Sequence, residues 1–456
     1  MADALPAVPP LPSTTEDSFN DSGLEKSDRR ITVISLILLV GIFGYFLLYI
    51  YHRFTVGHFG DFPTFYHAAK ALVAGRDPFI PVEDGLAYVY PPLLAWLFIP
   101  LTGLSKINAA RVVFPINMAC AVMSIFIGAR ELSRRFGVQR LSMAGLLAIA
   151  ALTTLMGENE LRGQLQQMET DAIMLLMFTL ALRWLDGQPL LAGGALSVAF
   201  NIKYLSLVFL PYLLLRRRWK AAAGMIGGSI FFMLLPAITI GWKEDFRCLG
   251  VAMGGLLRWV GIHPAVSQHA HIHPLDSLVS ISLTSGMARL LKQYRLPDSW
   301  ALLGAMIWIG LIIGAAAMMY RRRRFAMLQW PDAERQNAQP YRGLVALEWL
   351  GLIAAALLFS PNTNTRHLVM AILLEVAAAV LLLIPRPGVS RVPLLVGTGM
   401  LLVGFIMPIP SLCGPQFKHE YFRFSGPSWG LLVMYLTLLW TGLRYISVPV
   451  VRVIRG

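Results

Sequence analysis

The sequence predicts an all-α, polytopic membrane protein, a single bundle of about 12 transmembrane helices. Some of these helices are short or re-entrant, and amphipathic helices sit in the outward loops. Three observations lead there. Of 456 residues, 56% are hydrophobic and 14% charged, against about 45–50% and about 25% in soluble proteins. Mean hydropathy is +0.61, whereas a soluble chain of this size needs far more polar surface to cover its core. Windows of about 18 or more mostly apolar residues also recur along the chain. An ordinary cytoplasmic enzyme, a secreted disulfide scaffold and a disordered protein are excluded. The three cysteines, Cys120, Cys248 and Cys413, form no CxxC metal pattern. Cys120 lies in an apolar run, so only Cys248 and Cys413 could pair.

Residues 1–30 are rich in Pro, Ser and acidic residues and read as a disordered cytoplasmic tail. The first apolar run follows Arg29-Arg30 and is long enough to span, so it reads as a first helix over 31–51 and not as a cleavable signal. Further spans fall at 107–129, 141–156, 169–185, 221–242, 301–320, 343–360, 368–384, 393–410 and 429–446. Between Arg183 and the Arg216-Arg217-Arg218-Trp219-Lys220 cluster lies an apolar stretch broken at Asn201-Ile202-Lys203. Both flanks are basic and a single span cannot begin and end on one side. Residues 190–215 therefore read as a hairpin of two short helices with Lys203 at its tip, tolerated at depth only when buried in protein or lining a cavity. A shorter apolar piece, 91–104, reads as re-entrant or interfacial. The domain is thus 31–446, with a second cytoplasmic tail at 447–456.

Charge parity tests this layout. The formal net charge of +14, from Lys+Arg 39 against Asp+Glu 25, could suggest nucleic acid. In a membrane protein such an excess sits mainly in cytoplasmic loops. Most basic residues do fall there, in clusters at 130–140, 216–220 and 321–324. Acidic residues such as Asp61, Asp77, Glu158, Glu160, Glu244 and Asp276 fall on the other side. The two long non-spanning segments, 52–106 and 243–300, both face outward, as a binding or reaction surface would. No internal repeat is evident, which weakens an inverted-repeat transporter.

In the first outer loop, Phe62, Phe65, Tyr66, Ala69, Leu72 and Val73 recur at helical spacing, predicting an amphipathic helix over 62–74 at the interface. Asp61 occupies its N-cap, and Gly75 with Pro78 ends it. Asp61 is a helix cap on local features, and a general base at the mouth of a lipid-facing cavity is a compatible second role. Tyr88-Val-Tyr90-Pro91-Pro92 reads locally as an aromatic belt and a helix start. Gly163-Gln164, Gln166, Gln167, Glu169 and Asp171 stand at the outer end of a span, either as a polar loop or for hydroxyl recognition. Lys203 is an isolated cation in an apolar stretch, a snorkelling side chain or a phosphate-facing one. Ser360-Pro-Asn-Thr-Asn-Thr-Arg366-His367 joins two spans as a polar loop. Its Arg can bind phosphate bidentately and its His can donate to a leaving phosphate or hydroxyl. Glu348 and Glu375 lie inside spans, as interior hydrogen-bonding groups or a proton path. His263, His269, His271 and His273 read as loop histidines, because the period of two suits no helix face and no Cys/His pair completes a zinc pattern.

Taken in order, these motifs resemble glycosyltransferase family 87. The resemblance rests on Asp61 with Phe62, Phe65 and Tyr66, then Ala-Leu-Val-Ala-Gly-Arg-Asp-Pro-Phe and Tyr90-Pro91-Pro92. It continues through Gly163-Gln164, the block from Ala192-Gly-Gly to Arg-Arg-Arg-Trp, and the Ser360…Arg366-His367 loop, covering about residues 31–385. It implies a GT-C-like fold and transfer of a sugar, most often mannose, from a polyprenyl-phosphate donor to a lipid or glycan acceptor on the non-cytoplasmic face. It further implies Asp61 as catalytic base, with Lys203, Arg366 and His367 near the donor phosphate. Tyr66, Tyr90, Gln164, Gln166 and Asp171 are the candidate sugar- and acceptor-binding residues. No cofactor, no metal and no nucleic-acid partner are expected. The chain departs from the usual pattern at Leu-Gln-Gln-Met-Glu-Thr-Asp after Gln164, and carries Arg-His where a His pair is frequent. A flippase for lipid-linked sugars and a non-catalytic scaffold are the alternatives, and the scaffold requires no clustering of Asp61, Lys203 and Arg366-His367.

Overall fold

A computed structural model describes residues 21–57, 59–80, 87–138, 140–259, 274–325, 339–361, 363–406 and 410–447. Among them every regular element is a helix. In chain order the first are α1 Asp21–Val56, α2 Phe62–Val73, α3 Pro92–Leu97, α4 Lys106–Arg135, α5 Met143–Met156, α6 Glu158–Gln167 and α7 Asp171–Trp184. Then follow α8 Pro189–Ile202, α9 Phe209–Leu215, α10 Trp219–Leu234, α11 Ala237–Ile240, α12 Trp242–Trp259, α13 Leu283–Gln293 and α14 Trp300–Arg322. The last are α15 Gln339–Phe359, α16 Ile372–Leu383, α17 Val392–Ile406, α18 Pro410–Arg423 and α19 Gly426–Ser447. Among the described residues, seven helical stretches are long and apolar enough to cross a membrane, and Met143–Met156, Pro189–Ile202, Tyr204–Leu215 and Val392–Gly404 are shorter apolar helices. The four histidines at 263–273 and the first twenty residues lie outside the described residues.

The burial pattern separates core from lipid. Helix α16 is apolar apart from Glu375, and Ile372 through Leu381 are buried on every face, the signature of a central helix. It packs against α4, α5 and α19. In α1 and α14 the large apolar side chains, such as Ile37, Leu48, Leu303 and Leu311, are instead exposed, as on a helix facing hydrocarbon. Serine caps begin several elements: Ser105 accepts the Asn108 N–H at 3.4 Å, and Ser142 accepts the Gly145 N–H at 3.1 Å.

One expectation needs correction, and one open question is answered. The helix of α1 already begins at Asp21, so the last ten residues of the expected tail continue the first span as helix. Cys248 and Cys413 do not pair; all three thiols are free.

The hairpin at 190–215 is present. Its two ends meet where Arg218 bonds Asp186 at 2.8 Å, and Lys203 interrupts it in extended backbone (φ −147°, ψ 141°). Close helix packing holds it. A Cβ on Gly193 would overlap the Ala221 carbonyl and lie 2.5 Å from the Met225 nitrogen, so α8 and α10 meet backbone to backbone, as small residues permit.

The helices separate two polar ends. At one, Arg135 is fully buried and bonds Glu131 at 2.6 Å, Asp186 at 2.9 Å and the Leu182 carbonyl at 2.7 Å. Nearby, Glu348 pairs with Arg216 and accepts the Tyr212 hydroxyl at 2.8 Å, the interior hydrogen-bonding role. Glu375, by contrast, is buried without a hydrogen-bond partner among the described residues. Helices α4, α7 and α8 run from this basic end to the other, where Asp61, Asp171 and Lys203 lie.

Candidate active site

Four separate segments converge at the second end. Asp61 precedes α2, which is largely buried through Phe62, Phe65, Tyr66, Ala69 and Leu72. The helix stops as expected, with Gly75 at φ +63° donating to the Leu72 carbonyl at 3.1 Å. Gly60 brings this segment onto α6: a Cβ there would overlap the Gln167 side chain and sit 3.1 Å from its Cα. The Asp61 N–H then donates to the Gln167 carbonyl at 3.3 Å.

The cap reading of Asp61 is not what forms. No side-chain cap bond is made at α2, and Asp61 is in αR backbone (φ −90°, ψ −14°). Its carboxylate instead pairs with the Arg366 guanidinium. A charge-assisted bond to a half-buried cation outweighs a neutral backbone cap.

Helix α6 ends at Met168, in left-handed backbone (φ 49°), and the turn that follows carries Glu169 into the protein, where it is fully buried. Its two oxygens serve two cations: Oε1 lies 3.3 Å from Arg366 Nη1 and Oε2 lies 3.2 Å from Lys203 Nζ. The Lys203 ammonium also meets Asp171 Oδ1 at 2.6 Å and stands 5.6 Å from the centre of the Tyr90 ring. An alternating chain results, Asp61–Arg366–Glu169–Lys203–Asp171, with both ends acidic.

The fourth segment is the late loop. Asn364 accepts the N–H groups of Arg366 and His367 and so starts the tight helix Thr365–Ala371. The Asn364 N–H donates to His367 Nδ1 at 3.3 Å, which places the ring proton on Nε2, 3.7 Å from Asp171 Oδ2. Outside the cluster, α13 holds this loop: Thr284 donates to the Phe359 carbonyl at 2.8 Å and Ser285 to that of Pro361 at 3.0 Å.

Burial and the neighbouring Glu169 push Asp61 up to about 7, with Arg366 acting in the opposite sense. Glu169, Asp171 and His367 offer ligand atoms within 4.8 Å of one another, a grouping that by residue type suits a cation. The cation already between the two carboxylates is Lys203, and the His367 proton points the same way. These residues form an ion-pair network.

The expected residues divide accordingly. Asp61, Lys203, Arg366, His367, Asp171 and Tyr90 come together. Tyr66 donates to the Leu104 carbonyl at 2.7 Å and stacks on Phe62. Gln164 donates to the Glu169 carbonyl, supporting the turn from behind, and Gln166 accepts the Tyr49 hydroxyl at 3.0 Å. From sequence, Glu169 is one of the polar residues at the end of a span, a loop residue or one for hydroxyl recognition, and it stands in the segment where the chain departs from its family's pattern. That departure marks the segment, and the turn at Met168 singles out Glu169 within it.

Fold and site define a polytopic membrane protein with a buried ionic cluster at one end of its helical bundle. The sequence model of glycosyltransferase family 87 matches residues 88–361, more than half of the chain. The chain belongs to glycosyltransferase family 87, and it is a membrane glycosyltransferase. The matched region holds Tyr90, Gln164, Glu169, Asp171 and Lys203, and Asp61 and Arg366 flank it. No curated protein sequence matches the chain.

Proposed function

We propose that the protein moves a sugar, mannose, from a polyprenyl-phosphate donor to a lipid or glycan acceptor on the non-cytoplasmic face, with inversion. One observation carries this reading. A buried carboxylate on a separate loop, Asp61, shares one cluster with two cations and a histidine. Asp61 takes the proton of the acceptor hydroxyl as its oxygen bonds the anomeric carbon. The bond from that carbon to the phosphate oxygen breaks, and the polyprenyl phosphate leaves with the electron pair. Arg366, Lys203 and the His367 Nε2 proton stabilise the departing phosphate. A base raised to about 7 is better matched to neutral pH than an ordinary aspartate. The polyprenyl tail stays in the bilayer, so no nucleotide pocket is needed. Transfer is further proposed to need no metal, the charge being supplied by Lys203 and Arg366, so chelator treatment should leave the rate unchanged.

The clustering is contrary to what a scaffold requires, and the family membership favours transfer over flipping. The direct test gives purified protein radiolabelled undecaprenyl-phosphate mannose with a panel of lipid and glycan acceptors, beside Asp61→Asn. Transfer by the wild type and loss in the variant are expected. Full activity in the variant removes Asp61 as base, and no transfer from any lipid-phosphate sugar returns the reading to a flippase.

A further inference from the structure

Arg366 Nη1 is shared. It pairs with Asp61 Oδ1 and with Glu169 Oε1, so two carboxylates from different segments draw on one guanidinium nitrogen, which carries two N–H groups. The other Glu169 oxygen is engaged by Lys203 at 3.2 Å, and Lys203 is anchored from behind by Asp171 at 2.6 Å. Glu169 is thus the link between the two cations, and it is fully buried. A buried carboxylate that only neutralised Lys203 would duplicate Asp171. Its second oxygen is spent on Arg366, beside Asp61.

We propose that Glu169 is a positioning residue for the transfer reaction: it spaces the guanidinium and the ammonium as one anion receptor and keeps Arg366 from closing on Asp61 alone. The proposal deepens the reading above, since it takes Asp61 as the base and a phosphate as the anion. Its chemical consequence concerns basicity. An Asp61 held by Arg366 alone is a weak proton acceptor, because a guanidinium in contact stabilises the ionised form. With Glu169 drawing on the same Nη1 and adding a second negative charge, Asp61 keeps its affinity for a hydroxyl proton. The charged and titratable groups facing Asp61 are Glu169 from the turn between α6 and α7, Arg366 from the late loop and Tyr90 ahead of α3. Lys203 lies beyond Glu169.

The test reads Asp61 without relying on turnover. Full-length protein in lipid nanodiscs is titrated by infrared difference spectroscopy, following the protonated-carboxyl band that Asp61→Asn removes. Its midpoint should lie near pH 7. Glu169→Gln, which keeps the shape and removes the charge, should lower that midpoint by about one unit or more. Glu169→Asp should keep it near the wild-type position. Arg366→Gln tests the same geometry from the other side and should raise it by about one unit or more. An unmoved midpoint in Glu169→Gln overturns the proposal, as does the absence of any band assignable to Asp61; if Glu169→Gln does not fold, an unmoved midpoint in Arg366→Gln overturns it equally. Transfer from undecaprenyl-phosphate mannose is measured in parallel. Infrared shifts as stated without any transfer sustain Glu169's role and sink the donor assignment instead. Transfer with an acidic limb that shifts alongside the infrared midpoint supports both.

Discussion

Replacing Lys203 by Met keeps most of the length of the side chain and deletes its charge. In the native protein the ammonium lies 2.6 Å from Asp171 and 3.2 Å from Glu169, and all three side chains are at most 5% exposed. Glu169 retains Arg366 at 3.3 Å after the substitution, but Asp171 keeps only the more distant His367 ring. Removing one partner of a buried pair costs about 3–5 kcal/mol, because the remaining charge is left uncompensated. Lys203→Met should therefore lose about that much stability. Adding Asp171→Asn removes the orphaned charge, and the double variant should recover roughly 1–3 kcal/mol of it, the range typical of directly coupled residues. Equilibrium unfolding of the four proteins in detergent micelles, by increasing SDS, gives the cycle. Sugar transfer should stay lost in the double variant, because the cation proposed to meet the phosphate is still missing. A Lys203→Met protein within about 1 kcal/mol of wild type, the value of an exposed pair, would refute the reasoning, as would a double variant no more stable than the single one.

Four further outcomes are expected. Transfer should require ionised Asp61, so the rate should fall as pH drops through about 7 and hold on the alkaline side; a limb near the ordinary aspartate range would contradict the burial argument, and a pH–rate profile decides. Gly193→Ala should destabilise the protein by about 1–3 kcal/mol by overpacking, whereas Gly194→Ala, with nothing within 4 Å of its new Cβ, should be neutral; thermal unfolding of the pair provides its own control. Gly60→Val must push the Asp61 segment off Gln167 and should lower kcat by about 10²-fold, the effect of a displacement near 1 Å, with little change in overall melting. Arg289 donates to the carbonyls of Ser277, Ser280, Phe422 and Arg423 and to the Ser425 hydroxyl, fastening the end of the protein where α13 grips the late loop. Arg289→Ala should cost about 3 kcal/mol or more through unsatisfied carbonyls, seen as a lower melting temperature.

Much of the bundle was legible because the insertion of a segment into a membrane is governed by its own residues. The span at 343–360, the break at Lys203 and the basic flanks of the hairpin all follow from local transfer energies and the placement of charge. The hairpin could be read without a structure because Arg183 and Arg216-Arg217-Arg218 must share a side. The start of α1 at Asp21 was less legible, since helix can continue past the apolar run without any change in hydrophobicity.

The candidate site was legible as a set of residue types and not as a set of pairs. Asp61, Lys203 and Arg366 stand out as ionisable groups at or near apolar segments, where charge is costly. Asp61 as a cap was the natural local reading, and it failed because Arg366, some three hundred positions away, supplies a stronger partner. Glu169 was hidden among neighbouring polar residues, because nothing in Gln-Gln-Met-Glu-Thr-Asp marks the one that turns inward. Met168 in left-handed backbone does that.

By itself, then, the sequence determined a polytopic helical membrane protein, the position of its hairpin and the few charges worth suspecting. Those depend on hydrophobicity and on charge along the chain, which are local properties. Only the tertiary structure decided that Asp61 faces Arg366, that Glu169 joins Arg366 to Lys203, and that Tyr66, Gln164 and Gln166 each make an internal hydrogen bond. Pairing between buried charges is selected by distance and desolvation, and both exist only once the helices have packed.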